Sequence, residues 1–419
     1  MVAHKKKVLI FIDWFIPGYK AGGPISSNAN LLAHLSDQFD FYVVTRDTDY
    51  CEVTPYTDVK SDAWNVLPNG ANVYYISKKA LSIKSITRIV KSVPYDVIFI
   101  NGIYSWYFSL FPLLWFKSIK KKKIIVSARG MLSDHTFSSK KIKKKVFYFL
   151  ARVTGLYKGV IIHATNDGEA GQIRKNIGFK GEIRVAPNLP PKATTAFTPL
   201  TKIPNELKLI CIARISPEKN TLFALNVLVQ FCKKNNVQKT TIIFDLFGTV
   251  YSEKYWAECQ AVMAALPPNI KINFKGAIEK ERIAETLKMY HFLFMPSQGE
   301  NYGHSIVESF MAGRPVIISD QTPWRNLGTV GSKQLAVGSE AVNNDQFKVS
   351  PLTANRQPLT ATVGWDLPLD NPAGFVKIIE VCAEMDQEAY NKISENAFEY
   401  AKQITNDDHV LEANKLLFA

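Results

Sequence analysis

The sequence is poor in paired cysteine. Its five cysteines, Cys51, Cys211, Cys232, Cys259 and Cys382, are odd in number, widely scattered and never spaced as C-x-x-C. That pattern suggests neither a disulfide framework nor a zinc site, and it fits reduced thiols in a cytoplasmic protein. Acidic residues are also scarce, with 37 Asp and Glu against 51 Lys and Arg, a net charge of +14. Such a surplus points to an anionic partner: a phosphate-bearing substrate, a nucleic acid or an acidic lipid. A clean membrane span is missing. Residues 97–116 carry no charge and run into the lysines of 117–123, which fits a spanning helix in length and flank. However, Asn101-Gly102 and Pro112 interrupt the stretch, and Val97-Ile-Phe-Ile100 reads as a buried strand. A strand followed by an aromatic-rich helix is the expectation. At the N-terminus Asp13 cuts the apolar run short and no small-residue cleavage site follows, so a first strand is expected rather than a signal peptide. No short repeat or low-complexity tract appears.

What remains is ordinary globular material. At 419 residues with 47% hydrophobic content, the chain is too long for one core and suits two domains. Short Val/Ile-rich runs alternate with helical stretches, which indicates parallel sheets covered on both faces. Strands are expected in the first half at 7–13, 39–45, 72–77, 96–101, 123–128, 160–164 and 182–185. A Pro- and Thr-rich stretch, 187–199, reads as a linker. The pattern then restarts, with strands at 208–213, 241–247, 270–275, 292–296 and 315–319, and helices at 220–234, 254–266, 281–289, 303–312, 371–385 and 387–403. The expected fold class is α/β: an N-terminal Rossmann-like domain over 1–190, joined by a C-terminal helix at 404–419, and a second one over 200–403. Two doubly wound halves place a ligand in the cleft between them, at the carboxyl ends of their strands.

The most informative stretch runs Pro296-Ser-Gln-Gly-Glu300-Asn301-Tyr302-Gly303-His304-Ser-Ile-Val-Glu308, then Gly313-Arg314-Pro315. A buried strand ends, a polar glycine-containing loop follows, and a helix begins near Gly303. Free backbone N–H groups at such a helix start favour phosphate or sugar oxygens. Glu300 in the loop and Glu308 about one turn into the helix can address one ligand at different depths, and a carboxylate can accept two hydroxyl hydrogen bonds from a sugar or ribose. Upstream, Ile212-Ala-Arg214-Ile-Ser216-Pro217-Glu218-Lys219-Asn220 ends another strand. Ser216 is a candidate N-cap and Pro217 a first helical residue. Arg214 and Lys219 then flank a helix start, a position suited to a diphosphate.

The two segments resemble the E-x7-E signature and the G-R-L-x-x-x-K-N segment of the retaining GT-B glycosyltransferases of family GT4. The resemblance implies a GT-B fold and sugar transfer from a nucleotide-diphosphate sugar, with no metal or other cofactor required. It implies that Arg214 and Lys219 hold the diphosphate, that Glu308 binds ribose, and that Glu300 contacts the transferred sugar with support from Asn301, Tyr302, Gly303 and His304. Asn301 and His304 depart from the family's usual E-G-F-G pattern and bear on sugar identity. Lys275-Gly-Ala-Ile278 resembles the base-binding loop, and Gly248 matches a glycine position near the cleft. Asp47-Thr-Asp49 is the metal motif of the other large glycosyltransferase fold, but a three-residue match is common by chance, and a surface loop is expected there.

In the first half, Gly22 and Gly23 follow the first strand, in the place of a family loop that approaches donor phosphates and acceptor. The acceptor-side candidates are Asn101, Tyr104, Arg129 and His135. Arg129 lies in an R-G-M segment resembling related polysaccharide transferases, and its alternative reading is a structural ion pair. The basic runs 117–123 and 140–145 sit beside aromatics, which favours an anionic membrane surface over a merely solvated face. No nucleic-acid module accompanies them. Lipid contact suits a polyprenyl-diphosphate-linked or glycan acceptor in surface polysaccharide assembly, with the protein peripheral at the cytoplasmic side of the membrane. Competing readings are another GT-B activity, such as an epimerase or phosphorylase, and a non-catalytic sugar-nucleotide-binding component of a membrane complex.

Overall fold

A computed structural model describes residues 5–119, 122–132, 141–192, 196–234, 239–328 and 361–419. His135 and Lys140 lie outside the described residues. The chain divides into two compact units, Met1–Lys192 with Asp407–Ala419, and Ala193–Asn406.

The first unit is built on an eight-stranded sheet in the order β3-β4-β2-β1-β5-β6-β7-β8. Its strands are β1 (Lys6–Phe11), β2 (Phe39–Arg46), β3 (Ala63–Val66), β4 (Asn72–Ile76), β5 (Val97–Asn101), β6 (Lys123–Ser127), β7 (Ile161–Ala164) and β8 (Ile183–Val185). All pairings are parallel except β3 with β4. Every residue of β5 is buried, as continuous apolar runs in a doubly covered parallel sheet must be. The helices are α1 (Gly23–Leu35), α2 (Ile83–Lys91), α3 (Phe111–Ile119), α4 (Lys141–Val153), α5 (Asp167–Ile177) and, returning from the chain's end, α12 (Asp408–Phe418). Phe418 of α12 packs edge-on to Phe39 and Phe99, with both pairs of ring centroids 5.5 Å apart. The uncharged stretch after residue 97 forms β5, a single π-helical turn over Trp106–Leu110, and α3. Among the described residues no helix is long and apolar enough to cross a membrane.

The second unit has a six-stranded parallel sheet in the order β11-β10-β9-β12-β13-β14. It comprises β9 (Glu206–Ile212), β10 (Thr241–Phe247), β11 (Ile270–Gly276), β12 (Phe292–Met295), β13 (Val316–Ser319) and β14 (Gly364–Leu367). Its helices are α6 (Thr221–Lys234), α7 (Glu253–Ala264), α8 (Lys280–Leu287), α9 (His304–Met311), α10 (Pro372–Glu384) and α11 (Gln387–Thr405). Arg314 is wholly buried and acts as internal wiring. Its guanidinium donates to Thr198 O at 2.9 Å and Lys288 O at 3.0 Å, so carbonyls left over by loops and helix ends find a donor.

Two strands escaped the sequence pattern. β3 is a four-residue antiparallel edge strand, and β14 opens on a glycine and is also four residues long. Both are too short to show a period.

Both sheets reverse their order once. In the first, β1 lies between β2 and β5; in the second, β9 lies between β10 and β12. These are the switch points of doubly wound sheets, where connections depart to opposite faces and leave a crevice at the strands' carboxyl ends.

Candidate functional site

In the second unit, the segments leaving β9 and β12 meet at the switch point. Ser216 is extended, and its hydroxyl accepts from Lys219 N. The cap serves one 3-10 turn, Pro217–Lys219, and not the long helix expected from 220. Asn220 breaks the geometry by adopting a left-handed conformation (φ 59°), which asparagine tolerates better than most residues. α6 starts only after it, at Thr221. The turn is tied across to the loop after β12: Glu218 O accepts from Gln298 N at 2.8 Å and from Ser297 Oγ at 3.1 Å. That tie brings Lys219 Nζ within 2.5 Å of Glu300 Oε1, although the two residues are 81 apart in sequence. Both side chains are mostly buried. A pair removed from water in this way keeps each charge compensated.

Arg214 lies beside this pair along the chain. Its Nη2 is 3.3 Å from Glu218 Oε2, and its guanidinium sits 5.6 Å from the Tyr251 ring centroid. About a third of the side chain stays exposed, so the cation is oriented without being consumed. Glu300 N donates to Gln321 O at 3.3 Å. Tyr302 is buried against Trp324, whose indole N–H donates to Tyr302 O. Gly303 takes φ 79°, a left-handed conformation that suits glycine, and no side chain caps α9 at that point. His304 opens the helix with its ring 4.9 Å from that of Tyr302.

Glu308 is the fifth residue of α9. Burial pushes its carboxyl up to about 7, and the charge of Lys280 opposes that rise. Burial likewise lowers Lys280, and Glu308 pulls it back. Lys280, the first residue of α8, has no motif to announce it. Only the packing of α8 near α9 reveals it. Tyr251, which meets Arg214, was equally silent in the sequence, and Glu218 stood inside the upstream segment with no role assigned to it.

Gly248 has a mechanical reason to be glycine. A Cβ there would lie 2.0 Å from Ala213 O, and its φ is 148°. The close approach lets Ala213 N bond Phe247 O at 2.9 Å and Gly248 N bond Gly276 O at 2.8 Å. Ile278 is half-buried between β11 and α8.

The first unit gathers a different set at its own switch point. Gly22 (φ 72°) precedes α1, which opens with Gly23 and Pro24. The loop before it is held by Asp49, whose carboxylate accepts from Tyr19 N at 2.9 Å, Lys20 N at 3.1 Å and Tyr50 N at 2.7 Å. Asp47 accepts from Ser61 Oγ at 2.8 Å. Both aspartates are buried, which corrects the surface loop expected for Asp47-Thr-Asp49. Asp49 holds backbone in place because a buried carboxylate must have its charge met by hydrogen bonds.

Asn101, at the end of β5, accepts from Arg129 Nε at 2.7 Å, and Asn188 accepts from Arg129 Nη1 at 2.5 Å. Arg129 takes a left-handed backbone (φ 50°), uncommon outside glycine. Burial pulls its guanidinium down to about 10 while Glu169 raises it. Glu169 itself accepts from Gly130 N at 2.6 Å and from Thr165 N at 2.8 Å. Amide oxygens thus hold the Arg129 nitrogens, and the Glu169 carboxylate acts on them through its field. Tyr104 is partly exposed, and its hydroxyl donates to Met131 O at 3.1 Å.

Two parallel-sheet α/β units of this connectivity define the fold of the GT-B glycosyltransferases. Over the whole length the chain is similar to sucrose-phosphate synthase from Thermosynechococcus elongatus, with 14% identity, coverage of 99% of this chain and 98% of that one, and a TM-score of 0.64. A glycosyltransferase from Rickettsia africae gives 12% identity, 99% and 98% coverage and a TM-score of 0.63. Alr3699/HepE from Anabaena, in complex with UDP and glucose, gives 15% identity, 98% coverage of both chains and a TM-score of 0.60. Within the chain, residues 194–340 match the family model of glycosyl transferases group 1. No curated protein matches the chain in sequence.

Proposed function

We propose that the protein is a retaining glycosyltransferase of the GT4 type. It moves a sugar from a nucleotide-diphosphate sugar to a glycan or polyprenyl-diphosphate-linked acceptor in surface polysaccharide assembly, at the cytoplasmic face of a membrane. The observation that carries the reading is the contact of Lys219 with Glu300 at the β9/β12 switch point, inside the segment that matches the group 1 family. The UDP and glucose held by the Anabaena neighbour support a nucleotide-linked donor.

In this reading Arg214 and Lys219 face the donor diphosphate. As the bond from the anomeric carbon to the diphosphate oxygen breaks, negative charge grows on the leaving group, and the two cations stabilise it in place. Glu300 leaves its resting pair with Lys219 to accept sugar hydroxyls. Glu308, ionised, accepts the ribose hydroxyls. The acceptor hydroxyl attacks from the side the diphosphate leaves, and its proton passes to the departing oxygen. No side-chain nucleophile is assigned. Asn101, Tyr104 and Arg129 serve the acceptor, and the lysine-rich runs 117–123 and 140–145 serve the anionic surface that carries it.

A thermal-shift panel of UDP-, GDP- and ADP-sugars tests the donor half, since a ligand of the native state raises the melting temperature. One member should raise it clearly. A second assay follows free nucleotide, which should appear only with acceptor present. No shift with any sugar nucleotide would remove the donor site, nucleotide release independent of acceptor would favour an epimerase that cleaves the sugar–diphosphate bond, and sugar 1-phosphate formed from glycan and inorganic phosphate would favour a phosphorylase.

A further inference from the structure

Helix α4 has two apolar faces, and the described residues pack against one of them. Ala151 is buried, the Tyr148 hydroxyl donates to Met131 O at 3.1 Å, and the Phe147 and Tyr104 ring centroids lie 5.0 Å apart. These three side chains fix the inner face. At about 100° of rotation per residue, Ile142, Val146, Phe149, Leu150 and Val153 fall on the opposite side, in a stripe about 100° wide. They are 79%, 51%, 64%, 52% and 67% exposed. Single exposed apolar side chains are normal, but five in helical register are a surface with a purpose. On the same wheel Lys143 borders one edge of the stripe, and Lys145 and Arg152 border the other.

Charge identifies the cover. Between residues 97 and 166 the chain has 13 Lys and Arg and one acidic residue, Asp134. An apolar stripe between cationic margins matches the interface of an anionic bilayer, with acyl chains against the stripe and headgroup phosphates against the margins.

We propose that α4 lies in the plane of an anionic membrane surface with this stripe sunk among the acyl chains, as the anchor of the first unit. The inference rests on the reading of the acceptor as membrane-borne and adds the means of attachment: apolar insertion, with the lysines as its margins. It also sets position. Met131 O accepts from both Tyr104 and Tyr148, so seating α4 brings the segment Arg129-Gly-Met131 and the edge at Asn101 toward the headgroup layer.

The test is co-sedimentation of the full chain with vesicles of phosphatidylcholine, with and without phosphatidylglycerol. Wild type should bind the mixed vesicles. Phe149→Ser with Val153→Ser should lower binding by at least ~10-fold, since each buried CH2 contributes about 0.8 kcal/mol. Its melting temperature should stay unchanged because both positions are exposed. In a separate variant, Phe149→Trp, emission should shift to the blue on binding and be quenched by lipids brominated along the acyl chain. Two results would overturn the inference. One is wild-type binding by the Phe149/Val153 variant alongside loss in Lys143→Gln with Lys145→Gln, which makes the contact purely electrostatic. The other is a wild-type dimer in solution that the same Phe149/Val153 variant converts to monomer, which makes a second copy the cover. Donor binding is read separately by thermal shift, so either claim can fail alone.

Discussion

The two units solve the same topological problem with different materials. Each sheet reverses its order once, and each collects polar side chains at the carboxyl ends flanking the reversal. In the second unit the collection is held by charge: Lys219 on Glu300, Arg214 on Glu218, and Lys280 opposing the rise of Glu308. In the first it is held largely by amides and backbone: Asn101 and Asn188 on Arg129, Glu169 on Gly130 and Thr165, and Asp49 on the loop before α1. The residues that match the group 1 family model, 194–340, fall in the second unit. The charged candidates of the second unit come from two short contiguous runs, one at a 3-10 turn and one leading into α9. The candidates of the first unit, such as Asn101 and Arg129, come one or two at a time from strand ends tens of residues apart.

If charge pairing marks the working edge of the second unit, Lys219→Ala or Glu300→Ala should be the most damaging change in the molecule. Transfer rate should fall about 10²–10³-fold, the range for removing one stabilising group at a developing charge, and the melting temperature should fall as well, because either change leaves a mostly buried charge without its partner. Near-wild-type turnover in steady-state assays of both variants would break the comparison at its stronger end. Arg129→Ala should act on the other unit alone. Loss of a charge-assisted contact to the acceptor should raise acceptor KM by roughly 10-fold or more while donor affinity stays fixed. An equal change in donor Kd, measured by calorimetry, would erase the division of labour.

Stability should not distinguish the units, because each buries one neutral histidine. His163 donates to Ala186 O and accepts from the Ser127 hydroxyl, and burial pulls it down to about 3. His291 donates to Thr201 O and accepts from Lys208 N, and burial pulls it down to about 4. A lowered folded value means that the unfolded chain binds more protons below 6.5, so stability is complete above that pH and is lost as pH falls through it. At pH 5 each histidine should cost about 2 kcal/mol. Urea unfolding followed by tryptophan fluorescence at pH 7 and pH 5 reads this, and an unchanged midpoint would refute both assignments.

The smallest effect is the most specific. The folded value of Glu308 is raised to about 7, so its carboxylate forms only as pH rises through neutrality. Affinity for a nucleotide sugar should increase a few-fold between pH 6 and pH 8, and Glu308→Gln should flatten that slope. A slope that survives the substitution would move the titrating group elsewhere.

Much of the fold was legible because parallel strands buried on both faces advertise themselves as apolar runs. β5 and β12 are examples, every residue of each being buried. The short edge strands β3 and β14 gave no such signal. In the candidate site, Ser216 was readable as a cap, yet the helix it was expected to begin is one 3-10 turn stopped by Asn220. The aspartates of Asp47-Thr-Asp49 looked like surface residues because nothing local shows that Tyr19 and Lys20 fold back onto Asp49, or that Ser61 reaches Asp47.

By itself the sequence determined two αβ halves, the seven-residue interval between Glu300 and Glu308, and a strongly basic stretch in the first half. Those properties are local or compositional, and a chain carries them before it folds. Tertiary structure decided which groups touch: Lys219 with Glu300 across 81 residues, Arg129 with Asn101 and Asn188. It also decided which face of α4 is left over. A helix with apolar residues on both sides can turn either inward, and only the packing of Phe147, Tyr148 and Ala151 leaves Phe149 and Val153 in the solvent.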